Sequence, residues 1–138
     1  MAGEVNGTTV IVKKGGSEIV GQMEATVTYN GTPIDISNKS AGDNVTLLDA
    51  ELSGKQLQIS GTIVYNDDSV YRAVRADALV GTQATYAIEY VSNATTDESF
   101  SASMVPTGLS DAIPHGDKVS TSITLLSSGT ITHTAAVT

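Results

Sequence analysis

The sequence predicts a mainly β fold, a β-sandwich or partial barrel with one flanking α-helix. Three observations predict it. Apolar and polar residues alternate with period two along most of the chain, only one stretch carries helical spacing, and no unit repeats. The 138 residues amount to about one domain, long enough to bury roughly two thirds of the unfolded surface, and no composition shift divides 1–138 into two.

The elements follow in order. Thr8 to Lys14, closed by Gly15-Gly16, supplies a first strand. Met23, Ala25, Val27 and Tyr29 share one strand face and Glu24, Thr26 and Thr28 the other. Asn30-Gly31 then reads as a tight hairpin turn, with a return strand through Thr32, Ile34 and Ile36. Leu57, Ile59, Gly61, Ile63 and Tyr65 alternate with Gln56, Gln58, Ser60 and Thr62, a half-buried strand. From Asp68 to Val80 the period changes: Val70, Tyr71, Val74 and Ala78 form an apolar helical stripe. Asp67 or Asp68 caps its free amides, and Gly81 suits the C′ position. Arg72 completes a capped start with an ion pair to the Asp67-Asp68 step. Tyr86, Ile88 and Tyr90 make the next strand, then Phe100, Ala102 and Met104. Val119 to Leu125 and Ile131 to Val137 close the chain, with Ser127-Ser128-Gly129 read as the turn between them.

Two segments read as irregular and long for one domain, Ser37 to Gly54 and Pro106 to Lys118. The first holds Val45, Leu47, Leu48 and Leu52, too apolar for a solvated loop, so it requires cover from the core or from another chain.

Composition excludes several classes. There is no Cys and no Trp, aromatics are 4%, and Ser with Thr make up about a quarter of the chain. Thiol chemistry, Cys-ligated zinc and sugar- or base-stacking platforms therefore lack their residues. With 15 acidic residues against 7 basic ones and a net charge of -8, a broad phosphate grip is excluded. Met1 to Lys14 has no apolar run of signal-peptide length and no segment approaches 18 apolar residues, so a soluble chain without a cleaved signal is expected.

Nucleophile elbows, Walker loops and dinucleotide fingerprints are absent, so no catalytic residue and no cofactor is assigned. His133 falls on an apolar strand face and reads as structural. His115 with Asp111 and Asp117 matches no specific ligand spacing, so no metal site is assigned. The Asn-x-Ser/Thr patterns at Asn6, Asn30, Asn38, Asn44 and Asn93 read as turn asparagines in a Ser/Thr-rich chain. Charge is most informative where it is missing. None of Lys13, Lys14, Lys39, Lys55, Arg72, Arg75 and Lys118 lies on the polar faces of the three best strands, which carry Glu24, Thr26 and Thr28, then Gln56, Gln58, Ser60 and Thr62, then Thr85 and Glu89. A merely solvated face usually mixes Lys with Glu. These faces, smooth and neutral to negative, have two readings: an ordinary solvent face, or a surface that a polyanion slides past without sticking.

From Glu24 to Ser40 the run Glu-Ala-Thr-Val-Thr-Tyr-Asn-Gly-Thr-Pro-Ile-Asp-Ile-Ser-Asn-Lys-Ser resembles the major tail tube protein of bacteriophages with long non-contractile tails. Ile34, Asp35, Ile36, Ser37, Lys39, Ser40 and Gly42 follow the family pattern. The likeness extends loosely to the Leu57–Tyr65 strand, the helix and Gly81. Val45, Leu47 and Leu48 stand where relatives often carry an aromatic. The resemblance implies a structural virion protein, assembled in the host cytoplasm and carried in the tail. Six copies form a ring, and rings stack into a hollow tube that conducts DNA without binding it specifically. Sheets of neighbouring subunits join into an inner barrel. Partners would be the chain itself and the tape measure, tail tip and terminator proteins, with no membrane. On this reading Glu24, Thr26, Thr28, Asp35, Gln56, Gln58 and Glu89 face the lumen, and Val45, Leu47, Leu48 and Leu52 meet the next ring. The alternative from the residues alone is a monomeric β-sandwich binding module, a capsid decoration or adhesin domain, with its site on Pro106–Lys118 or the strand ends. An enzyme built on His115, Asp111 and Asp117 is the third reading.

Overall fold

Among the described residues, period-two sequence with β-branched residues produces seven strands, and the segment of helical period produces one α-helix. In order they are β1 (Ile11–Lys14), β2 (Ser17–Glu18), β3 (Gln22–Asp35), β4 (Leu47–Val64), α1 (Ser69–Val80), β5 (Ala84–Tyr90), β6 (Glu98–Ala112) and β7 (Ser120–Thr134). The computed structural model describes residues 10–90, 97–135 and 137. The first-strand positions Thr8 and Thr9, and Asn6 and Asn93, lie outside them.

All seven strands belong to one open antiparallel sheet ordered β2-β1-β5-β6-β7-β4-β3. The mainly β fold with one helix is as the sequence predicts; the layers arise because this single sheet curls over its own core. Its two edges approach each other. Gln22 of β3 bonds the backbone of Val12 in β1, and the Tyr29 ring of β3 lies 6.3 Å from that of Phe100 in β6. Inside sit Val12, Leu57, Ile59, Ile63, Tyr86, Ile88, Met104, Ile123 and Leu125, with Tyr71 and Val74 of α1 packed onto them. Burying so many branched and aromatic side chains, each worth about 1.5–3 kcal/mol, is what holds the sheet in this curl.

The helix forms as its stripe predicts. The Asp68 carboxylate accepts from the Val70 amide, and Gly81 in the left-handed region ends it. Arg72 pairs with Asp67. Arg75 fastens α1 to the sheet: its guanidinium forks onto Asp111 of β6 at 2.9 and 3.0 Å and lies 5.0 Å from the Tyr65 ring centroid. The Thr121 hydroxyl donates to Asp111 at 2.7 Å. With its one proton so committed, Thr121 accepts from the Tyr71 hydroxyl 2.6 Å away.

Four sequence expectations are corrected, and strands that run through their glycines correct three of them. Asn30-Gly31 is no hairpin turn: β3 continues through it with an irregularity in pairing to β4 between Asn30 and Thr32. A type I′ turn needs positive φ at both central residues, and Gly31 is not among the glycines that have it. Its missing side chain serves packing instead, since a Cβ there would come 2.9 Å from Leu52 Cδ1. Ser127-Ser128-Gly129 is likewise a bulge inside a continuous β7, with Gly129 at φ 82°. The irregular segment after Ser37 ends at Thr46, because Leu47 already begins β4. Strand β6 continues past Pro106 to Ala112, leaving 113–119 as the loop. β5 pairs only as far as Met104, so Pro106 stands on an open edge where its absent N–H breaks no ladder.

Candidate functional site: a hydroxyl face and a projecting arm

Partners across an antiparallel ladder point to the same side, so register defines the face opposite the core. Three rows cross four strands there: Thr107, Thr124, Ser60 and Thr26; Ser110, Ser122, Thr62 and Glu24; and Val105, Leu126, Gln58 and Thr28. The face continues over β6 and β5 as Ser103 with Thr85 and Ser99 with Glu89. Its members are exposed or half-buried, and they bond sparsely to each other, as in the 3.5 Å Ser60–Thr124 hydroxyl contact. Their hydrogen-bonding capacity therefore points outward, with few charges. Glu24 stands on β3 and Glu89 on β5. Lys13 of β1, paired with Ala87 and Glu18, brings one cation to the same face near the sheet's short edge.

Six of the seven lumen residues expected from the sequence share this face: Glu24, Thr26, Thr28, Gln56, Gln58 and Glu89. The first five form one patch, through pairings of Glu24 with Thr62, Thr26 with Ser60, Thr28 with Gln58 and Asn30 with Gln56. Glu89 lies across the sheet from them. Asp35 is separate, at the far end of β3 opposite Leu47. Its carboxylate accepts the Ser37 amide at 2.8 Å, and that hydrogen bond holds the carboxyl below its ordinary range. Sequence reasoning missed the β6 and β7 rows, although Ser99, Ser101 and Ser103 alternate with Phe100, Ala102 and Met104 and carried the signal.

Beyond Gln58, β4 leaves β7, its last partner there being Leu126. What remains is a two-stranded arm of 30–35 and 47–56, with about 17 Å of paired length and a loop at its tip. The tip is organised locally. Asn38 caps the short 3-10 turn Lys39–Ala41, and the Ile36 amide bonds the Thr46 carbonyl at 2.9 Å. Val45, Leu47, Leu48 and Leu52, together with Ile36, are exposed on this arm, Val45 by 72%. A ribbon of two strands is marginal by itself in water, so an arm this apolar calls for a surface to lie on.

Asp111, Asp117 and His133 have structural partners. Asp111 is held by Arg75 and Thr121, which lower its carboxyl below the ordinary range, Arg75 most. Among the described residues no three His, Asp or Glu side chains converge as a metal site. His133 stacks on Phe100 at 4.7 Å and bonds Glu98 at 2.7 Å, the structural histidine expected. No described helix is long and apolar enough to cross a membrane.

No protein-family model matches the chain, and no curated protein matches it by sequence. Solved structures do match by shape. The chain is similar to a subunit of the tail of the empty GTA particle, a gene transfer agent reconstructed with C6 symmetry, at TM-score 0.78 and 20% identity over 94% of this chain and 98% of that one. Its similarity to the SPP1 tail tube protein has TM-score 0.73 and 11% identity over 98% and 81%. The anti-feeding prophage cap that terminates its tube follows at TM-score 0.67 and 16% identity over 99% and 94%. The chain therefore has the fold of tail-tube subunits.

Proposed function

We propose that this chain is a structural virion protein: six copies close into a ring, and rings stack into the hollow tail tube through which DNA passes. It performs no chemistry. The observation that carries the reading is the hydroxyl and amide face spanning β6, β7, β4 and β3 up to an unguarded edge. Strand β3 is 14 residues long and carries no Lys or Arg. Among the described residues, β4 is the only strand that pairs with it. A bare edge of this kind is a liability for a monomer and an asset for a subunit whose sheet continues into its neighbour's. The tail-tube fold supports the same conclusion.

In the ring, Glu24, Thr26, Thr28, Gln56, Gln58 and Glu89 face the bore. Neutral hydroxyls and amides exchange hydrogen bonds with water as readily as with phosphate, so they offer DNA no lasting hold. Six copies of a chain at -8 add repulsion, felt within about 8 Å of the wall at physiological salt. Asp35, at the arm's end, belongs with the inter-ring set instead, where Val45, Leu47, Leu48 and Leu52 meet the next ring. The tube ends on tail tip and terminator proteins and is measured by a tape measure protein.

Light scattering and negative-stain electron microscopy of concentrated protein test the reading. Stacked rings or tubes are expected. Monodisperse monomer at every concentration, even with a tail initiator complex supplied, would refute it. Leu47→Asp with Leu48→Asp abolishes stacking and leaves the monomer folded, because both side chains are exposed.

A further inference from the structure

We infer that the open half of β6, Val105–Ala112, receives strand β3 of the neighbouring copy in the ring, so that the two sheets join antiparallel. The inference rests on the tube reading above and names the acceptor that a bare β3 edge requires. Strand order leaves few candidates. Among the described residues β3 ends the sheet on one side and β2 on the other, and β2 is only Ser17–Glu18, too short to carry a 14-residue partner. Strand β6 offers a longer edge. Its pairing with β5 stops at Met104 while its pairing with β7 runs on to Ala112, so Val105–Ala112 has no strand on its β5 side. Thr107, Gly108, Ser110, Asp111 and Ala112 are exposed there.

Direction and height both fit. β3 is antiparallel to β4, β4 to β7 and β7 to β6, so β3 and β6 point opposite ways within one subunit. Rotation about the tube axis leaves each strand's direction in the wall unchanged, and β3 of the next copy therefore meets β6 antiparallel. The ladders also set the two bare segments level: Thr26 shares a row with Thr107, and Glu24 with Ser110. Closing a sheet tilts its strands and staggers their register. β3 accommodates the stagger because it continues to Asp35, well past the row of Thr28 and Val105.

The chemistry of the two edges agrees with this pairing. Neither Gln22–Asp35 nor Val105–Ala112 contains Lys or Arg, the cations that commonly guard an edge. The Asp111 carboxylate is already taken up by Arg75. Pro106 withholds one donor, which costs the ladder one bond and makes the free edge less prone to indiscriminate pairing. The contact also covers apolar surface. Ala25 and Tyr29 stand on the core side of β3, opposite Gly61 and Leu57, yet both are exposed, Tyr29 by 45%. In the joined sheet α1 of the receiving copy, fastened to β6 through Arg75 and Asp111, lies on that same side.

The natural chain has no Cys, so introduced pairs report without background. Full-length chains carrying Ser110→Cys together with Glu24→Cys, Thr26→Cys, Thr28→Cys or Asn30→Cys span staggers of up to about six residues in steps of two, which keep both thiols on one face. Within one subunit the two sites are at least about 14 Å apart, three strand spacings, which is too far for a disulfide. Each chain is assembled, oxidised and run on a non-reducing gel. At least one pair should give a ladder of covalent multimers that ends at six and collapses with reductant, whereas single-Cys chains stop at dimers. In unmodified polymer, amides of Gln22–Tyr29 and Val105–Ala112 should exchange hydrogen at least about tenfold more slowly than in monomer. Polymer with no ladder from any of the four pairs, or with unchanged exchange at Val105–Ala112, overturns this contact and leaves the tube reading standing. A ladder running past six does the same, since the contact would then follow the axis. Failure of the unmodified chain to polymerise overturns both.

Discussion

The side-chain amide of Gln22 takes the place of a strand beside Val12, its Oε1 3.0 Å from the Val12 amide and its Nε2 2.7 Å from the Val12 carbonyl. The same Nε2 also donates to the Ile19 carbonyl at 2.8 Å. One side chain therefore joins β1 to β3, the edges at which the open sheet would otherwise part. Replacing it by Ala orphans two partly buried backbone groups, the Val12 amide and the Ile19 carbonyl, at about 1 kcal/mol each, while the Val12 carbonyl keeps the Ile19 amide. Gln22→Ala should lower unfolding stability by about 2 kcal/mol in a urea titration. A change below about 0.5 kcal/mol would mean that the seam is held by packing alone.

Among the described residues, the buried Tyr86 hydroxyl has no hydrogen-bond partner. Burial, and then the charge of Asp77, push its ionisation far up. An orphaned hydroxyl in a core opposes folding, so Tyr86→Phe should leave stability unchanged or raise it by up to about 1 kcal/mol. A loss above 1 kcal/mol by thermal unfolding would reveal a bond that this account omits.

Acid should loosen the attachment of α1. The Asp111 carboxyl is held below its ordinary range by Arg75 and then by Thr121. Its folded value thus lies below its unfolded one, near 3.9. The contribution is fully present above about pH 4 and disappears as pH falls through the folded value. For a pair about a quarter exposed it amounts to about 1 kcal/mol. Denaturation midpoints for Asp111→Asn should be lower than those of the natural chain at pH 7 and approach them as pH falls below 4. Parallel curves would refute the linkage.

Reversing charge on the hydroxyl face tests the bore. Glu24→Lys together with Glu89→Lys places twelve cations in each ring of six and should slow genome delivery in phage built with it. The monomer should unfold within about 0.5 kcal/mol of the natural chain, since both sites are exposed. Unchanged ejection kinetics would remove these residues from the lumen.

Much of this was legible in the sequence wherever one physical rule decided the outcome. Helix α1 was readable to within a residue because its stripe, its Asp68 cap and Gly81 agree. The core of β4 was readable because Leu57, Ile59 and Ile63 alternate strictly. Glycine was ambiguous: Gly31, Gly129 and the Pro106–Gly108 stretch read as turns, yet each lies within a strand whose neighbours decide whether the chain turns or bulges. That decision is made by tertiary pairing, which no local pattern carries. The hydroxyl face was half legible. Its β3, β4 and β5 rows followed from alternation, while joining them to β6 and β7 required the strand order. Asp35 stands apart from Glu24 for a different reason: the irregularities between Asn30 and Asp35 end the simple alternation that grouped the two.

Cryo-electron microscopy of the assembled protein at side-chain detail tests the central claim most directly. The account predicts stacked six-fold rings around an open bore lined by Thr26, Gln58, Ser60 and Thr124, with the sheet continuing from subunit to subunit. A filled fibre, or a tube carrying this face on its outer surface, would contradict it.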